Sequence, residues 1–276
     1  LTDGFLNFAE LYIPGITKNE ILFSTYICHP SMANNELSGP VVATALANYI
    51  SSLSTTKFSY RFLFIPETIG AITYLSQHLE YLQKNIVAGY VLTCLGDEGN
   101  FSYLPSRTGQ TYADNVAKLV IENIDQDYKS YTFLDRGSDE RQYCSPKVNL
   151  PVCSISKSKY QTYPEYHTSL DNLDYISAKG LTESFLLFQE LVNHFEENQI
   201  FYATEYCEPM MSKRNLYPTL STKDTRTNIK HVMDILAYAD ATHDRKTIAK
   251  FLAVNLEEID SLLQILNDNK LIQYFS

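Results

Sequence analysis

The chain has 276 residues, 45% of them hydrophobic and 20% charged, with a formal net charge of −10. That length can bury one large core or a domain plus a small module, and the acidic balance argues against broad nucleic-acid affinity, which needs clustered Lys and Arg. No run of about 18 apolar residues occurs, so no membrane span is expected. Cys28, Cys94 and Cys153 lie in apolar runs, as small hydrophobes do in a reducing cytoplasm rather than in a disulfide framework.

In chain order, Leu1-Thr2-Asp3-Gly4 reads as the interior of a longer protein, so a truncated chain is expected. Ile21 to Cys28 is rich in β-branched and aromatic residues and is stopped by Pro30, which predicts a buried strand. It delivers His29 to a strand end, where ligand and metal sites collect in open α/β sheets. A polar stretch with a carboxamide and a carboxylate follows. Gly39-Pro40 then opens a helix over 38–53, because proline in a first turn needs no donor. Further strands are expected near 58–65, 86–95, 130–134 and 151–156, and helices near 69–84, 111–123 and 177–197. This alternation predicts an α/β fold with a doubly wound, mostly parallel sheet and helices on both faces.

The alternation stops after Phe195. Residues 198–222 are irregular and contain Pro209 and Pro218, and the tail reads as all helical, with helices at Ile229–Tyr238, Lys246–Leu252 and Leu256–Asn269. Asn255 is the expected N-cap of the last of these. Its ending, Leu266 to Tyr274, resembles the winged helix, in which a helix gives way to a small β-wing. The expected division is an α/β domain over 1–200, a connecting segment over 201–224 and a winged-helix domain over 225–276. That module carries six basic and seven acidic residues, and its would-be recognition helix begins with Glu257-Glu258. Those carboxylates would face phosphates, so DNA is not the expected partner.

Three further stretches are candidates to join His29. In Phe62 to Gly70 an apolar strand ends at Glu67. In Pro164 to Asn172, His167 sits in a polar loop with Thr168 and Asp171, groups able to fix its tautomer as outer partners of metal-bound histidines do. Arg136 to Arg141 is a charged cluster around Asp139. The other four histidines, at 78, 194, 231 and 243, fall within or beside helical patterns and read as structural or surface residues.

Together these stretches resemble the zinc-dependent aminopeptidases typified by the bacterial leucyl enzymes, over roughly residues 15–195. The match rests on His29 with Leu37-Ser38-Gly39, Glu67 with Gly70, and Tyr166-His167-Thr168 with Asp171. With its tail, the chain resembles a branch that couples such a domain to a C-terminal winged helix and carries an additional N-terminal segment. The resemblance implies that His29 and His167 are metal ligands, that Glu67 is the general base and that Asp139 is an active-site acid. It also exposes departures: Asn35 stands where a bridging aspartate is expected, Thr68 where a ligand glutamate is expected, and Thr93 near the place of a strand aspartate. Two zinc ions about 3.5–4 Å apart need several carboxylates, so the expectation is one zinc, held by His29, the Asn35 side-chain oxygen and His167, with water in a fourth position. A neutral ligand leaves the site more positive and lowers the pKa of that water. The implied function is hydrolysis of a peptide or amide bond in a small substrate by a cytoplasmic enzyme. The rival is an inactive aminopeptidase-like scaffold serving a regulatory or protein-interaction role. A homo-oligomer or a protein partner would engage through the C-terminal module.

Overall fold

The computed structural model describes residues 4–29, 31–214, 216 and 223–274, with backbone alone over 223–228. Leu1 to Asp3 at the expected truncation, Pro30 as the strand stop and Pro218 in the expected connecting segment lie outside the described residues. The chain forms two compact units, Leu1–Glu196 and Glu197–Ser276.

The larger unit contains, in order, β1 (Ala9–Ile13), β2 (Glu20–Tyr26), α1 (Ser38–Ser52), β3 (Ser59–Ile65), α2 (Ile69–Asn85), β4 (Ile86–Leu92), β5 (Ser102–Leu104), α3 (Tyr112–Ile124), β6 (Lys129–Ser130), α4 (Glu140–Tyr143), β7 (Val152–Ser156) and α5 (Ala178–Glu197). Seven strands form one sheet in the order β1-β3-β2-β4-β7-β5-β6. The four central strands are parallel; β1 pairs antiparallel with β3, and β5 antiparallel with β7. Side-chain alternation along the strands serves two buried faces. Leu22, Leu63 and Val91 pack with Tyr74, Leu75 and Leu82 of α2 and Tyr143 of α4. Phe23 instead stacks on Phe62 and Tyr90, and meets Phe188 of α5 edge-on at 6.1 Å.

Chain direction reverses across the sheet at one place. The connection leaving β2 runs to β3 on one side, and the connection leaving β4 runs toward β7 and β5 on the other. The carboxyl ends of β2 and β4 therefore flank a topological switch point, where loops diverge and leave a crevice. His29 follows β2, and Thr93 follows β4.

Several elements differ from their sequence expectation. The loop after His29 is a π-helical turn, Ala33–Leu37, running directly into α1. The strand expected to 95 leaves the sheet after Leu92, with Cys94 at φ 52°. Where a strand over 130–134 is expected, a two-residue strand forms at Lys129–Ser130, and a 3₁₀ turn over Phe133–Asp135 follows it. β1 carries no buried apolar alternation that would betray it. Glu10 anchors it by bonding to Arg61, whose guanidinium also gives Glu20 two bonds of 2.6 and 3.0 Å.

In the smaller unit, β8 (Ile200–Ala203), α6 (Lys223–Ala237), β9 (Asp240–Asp244), α7 (Arg245–Leu252), α8 (Leu256–Asp268) and β10 (Ile272–Tyr274) follow in order. The tail is thus not all helical: a sheet of order β10-β8-β9 accompanies the helices, giving the winged-helix arrangement. Its short strands are stabilised by a core that includes Phe201, Ile235, Ile248, Ile259 and Leu266. Asn255 caps α8 as expected, accepting the Glu258 amide at 2.9 Å. Among the described residues, no helix is long and apolar enough to cross a membrane.

The close approach of α1 to the strand ends requires glycine at 39. A Cβ there would stand 2.4 Å from both the Leu92 carbonyl oxygen and the Thr25 hydroxyl. Gly39→Ala is expected to cost about 1–3 kcal/mol through overpacking, measured as a lower Tm of the intact chain.

Candidate active site

The residues singled out in the sequence converge on the switch-point crevice. Tyr26 ends β2, and the chain turns out through Cys28 to His29. The π-helical turn brings Asn35 and Glu36 back beneath His29, each only 2% exposed. A π turn holds one more residue than an α turn and so directs its side chains differently. Here it aims Glu36 inward: Oε1 lies 2.7 Å from His29 Nδ1, and Oε2 accepts the Cys28 amide at 2.7 Å.

His167 arrives from 132 residues beyond Asn35 in the chain. Its loop is clamped to the π turn by Asp171, whose carboxylate accepts the amides of Asn34 at 2.6 Å and Asn35 at 3.1 Å. The Asp171 carbonyl accepts Ala33 N–H at 3.0 Å. Asp171 therefore serves the backbone of the π turn, where the sequence suggested a partner for the His167 ring. Thr168 Oγ1 likewise bonds within its own loop, to the Glu165 carbonyl. The two imidazoles stand with centroids 5.0 Å apart, and Tyr166 stacks on His167 at 4.0 Å.

Asn35 lies beside His167, oriented by its neighbours. Its Nδ2 donates to Glu36 Oε1 at 3.2 Å and faces His167 Nε2 at 3.5 Å, while Oδ1 accepts from Tyr26 OH at 3.3 Å and Cys94 Sγ at 3.7 Å. Turning the carboxamide over would set its oxygen against the Glu36 carboxylate. Thr93 is beside it, donating to the Asn35 carbonyl at 2.9 Å.

Glu67 comes from the end of β3, its amide bonding Cys28 Sγ at 2.7 Å. Burial raises the pKa of its carboxyl above the ordinary value, and Glu36 and Glu140 add to that, while the Ser138 hydroxyl and Arg141 oppose it. Thr68 follows at φ 63°, a left-handed conformation costly for a β-branched residue. It is held there by its N–H on Asp139 Oδ1 at 2.7 Å and by Arg141 on its hydroxyl at 2.6 Å. Asp139 is fully buried, and its Oδ2 has no hydrogen-bond partner among the described residues. Burial is the main force raising its pKa, to about 8; the Thr68 N–H opposes it, and Glu67 and Glu140 add to it.

The donor set bears on metal binding. A carboxylate on His29 Nδ1 is the usual outer partner of a metal-bound imidazole, leaving Nε2 as the free donor. The His29 and His167 rings, with centroids 5.0 Å apart, are the two imidazoles that the crevice brings together. Among the described residues, no group of three or more His, Cys, Asp and Glu side chains could hold a metal ion. Glu36 is the site residue that sequence reasoning passed over. Its signal was an acid seven positions after His29, but its inward direction depends on the π turn.

Residues 1–198 match the family model described as a domain of unknown function (DUF4910), and residues 199–274 match a winged helix-turn-helix. A Clostridium acetobutylicum protein, proposed for polysaccharide biosynthesis and carrying an aminopeptidase-like domain, is 44% identical over 218 residues, 79% of this chain and 50% of that protein. The crystal structure of a proposed peptidase from the same species superposes with a TM-score of 0.72 at 36% identity, covering 97% of this chain and 60% of that one. A zinc aminopeptidase from Bacillus subtilis shares the fold, with a TM-score of 0.55 at 20% identity over 68% of this chain and 48% of its own. This chain thus spans about half the length of the curated relative it matches.

Asp139 links the site to pH. A carboxyl raised from 3.8 to about 8 by folding contributes stability that is full below its unfolded pKa and is lost as pH rises through the folded one. Asp139→Asn keeps an acceptor for Thr68 N–H and cannot ionise. Thermal unfolding is expected to show the variant gaining on the wild type as pH rises from about 5 to about 8; parallel curves would refute the assignment.

Proposed function

The chain belongs to the family of the domain of unknown function DUF4910, and from that premise we propose that its larger unit is a metal-dependent hydrolase of a peptide or amide bond. The supporting observation is the convergence of His29, His167 and Glu67 on one strand-end crevice of an aminopeptidase-like fold. In this reading His29 and His167 hold one zinc ion, which when bound would supply Lewis acidity toward a carbonyl and a water molecule.

The chain's own groups do the rest. Glu67, its pKa raised by burial, takes a proton from the attacking water and returns it to the leaving amine. Asp139, neutral near pH 7 and bonded through Oδ1 to the Thr68 amide, steadies the turn that carries Glu67 and keeps an acidic proton beside it. The acidic surroundings of Glu36, Glu67 and Glu140 favour a substrate with a positively charged free amino group. The free thiols of the chain suit a reducing compartment, so cytoplasmic placement belongs to the same proposal. The acidic first turn of α8, Glu257-Glu258, favours a protein partner or a second copy of the chain over DNA for the smaller unit.

The rival reading is a metal-poor platform that binds without turnover. What favours it is the Asn35 amide nitrogen facing His167.

Elemental analysis separates the two. About one zinc per chain, lost in His29→Ala and in His167→Ala, is expected; no metal even with zinc supplied would sink hydrolysis through this crevice. With metal bound, Glu67→Gln is expected to lower kcat on aminoacyl amides by about 10²–10⁴-fold. Because the Glu67 pKa is raised, activity should fall as pH drops through it, with the variant lacking that limb. The intact chain should show no DNA binding that survives about 0.2 M salt.

A further inference from the structure

We infer that Glu36 is the positioning residue that sets the tautomers of both imidazoles, replacing from one position further along the chain the carboxylate that Asn35 lacks. The inference rests on the proposed metal-dependent reading of the crevice and adds to it a residue outside the expected ligand set.

Three groups converge on the two oxygens of Glu36. The Cys28 amide and the Asn35 Nδ2 can only donate, at 2.7 and 3.2 Å, which identifies the carboxylate as the acceptor. The third group, His29 Nδ1 at 2.7 Å, must then carry a hydrogen. A neutral His29 is therefore the Nδ1–H tautomer, with its lone pair on Nε2.

The effect extends to His167 through Asn35. With one Nδ2 hydrogen directed to Glu36 and Oδ1 engaged by Tyr26 and Cys94, the other Nδ2 hydrogen faces His167 Nε2 at 3.5 Å. That nitrogen is then an acceptor, and His167 too is the Nδ1–H tautomer. Tyr166 stacking and the left-handed backbone at φ 56° fix the ring itself. One buried carboxylate thus leaves the His29 Nε2 lone pair free and, through Asn35, makes His167 Nε2 an acceptor, on rings 5.0 Å apart. A divalent cation would displace the Asn35 amide from His167 before both rings could hold it, while the Glu36 bond keeps the Asn35 oxygen turned away.

The test is long-range ¹H–¹⁵N correlation of the histidine rings in metal-free intact chain near pH 8.5, about two units above the ordinary imidazole pKa. Wild type is expected to show Nδ1–H at both His29 and His167, and Glu36→Gln to leave His29 a mixture of tautomers. Competition with a chelator should show zinc held about 10–100-fold less tightly by Glu36→Gln. An Nε2–H tautomer at His29 in the wild type would overturn the inference, as would unchanged tautomers in a folded Glu36→Gln. If that variant does not fold, the wild-type spectrum alone decides. Wild type that shows both Nδ1–H tautomers yet neither binds zinc nor hydrolyses amides would defeat the hydrolase reading and leave the role of Glu36 standing.

Discussion

The crevice depends on one buried carboxylate. Asp171, 1% exposed, accepts the amides of Asn34 and Asn35, so a loop late in the chain is fastened to the turn that follows β2. Parallel strands deliver His29 and Glu67 to the same edge of the sheet without help. His167 has no strand to deliver it, and only the clamp brings its ring within 5.0 Å of His29. The amide donors are satisfied in the process, as a buried turn requires.

Around that clamp the backbone takes conformations it would not choose. Thr68, Cys94 and His167 all have left-handed φ, at 63°, 52° and 56°, and each such residue costs of order 1–3 kcal/mol. The cost is tolerated because each is held by tertiary partners. Asp139 and Arg141 hold Thr68, the hydroxyls of Thr93 and Tyr163 meet the Cys94 sulfur, and Tyr166 stacks on His167. Burial in this crevice raises the pKa of Asp139 and Glu67, and their like-charged neighbours add to it.

Much of the α/β framework was legible in the chain. Long strands such as β2 and β3 are rich in apolar and aromatic residues, and α1 to α3 and α5 carry helical stripes, because elements buried on the sheet must show their periodicity. The short elements were not legible. β1 is held by Glu10 on Arg61 rather than by its own pattern, and the strands of the smaller unit are three to five residues long. Pairing partners distant in sequence decide such segments.

By itself the sequence placed His29 and Glu67 at the ends of two central strands of a parallel sheet, whereas the strand before Thr93, expected to run on to residue 95, ends at Leu92. It also shows Asn35, Thr68 and Thr93 where the resemblance leads one to expect carboxylates. Only the tertiary structure decided where Glu36 points. Whether Glu36 faces solvent or His29 depends on a π turn, and that turn is closed by amides bonded to Asp171, more than a hundred residues away. Local propensity cannot carry that information, because the bonds that select the turn do not exist until both segments are packed.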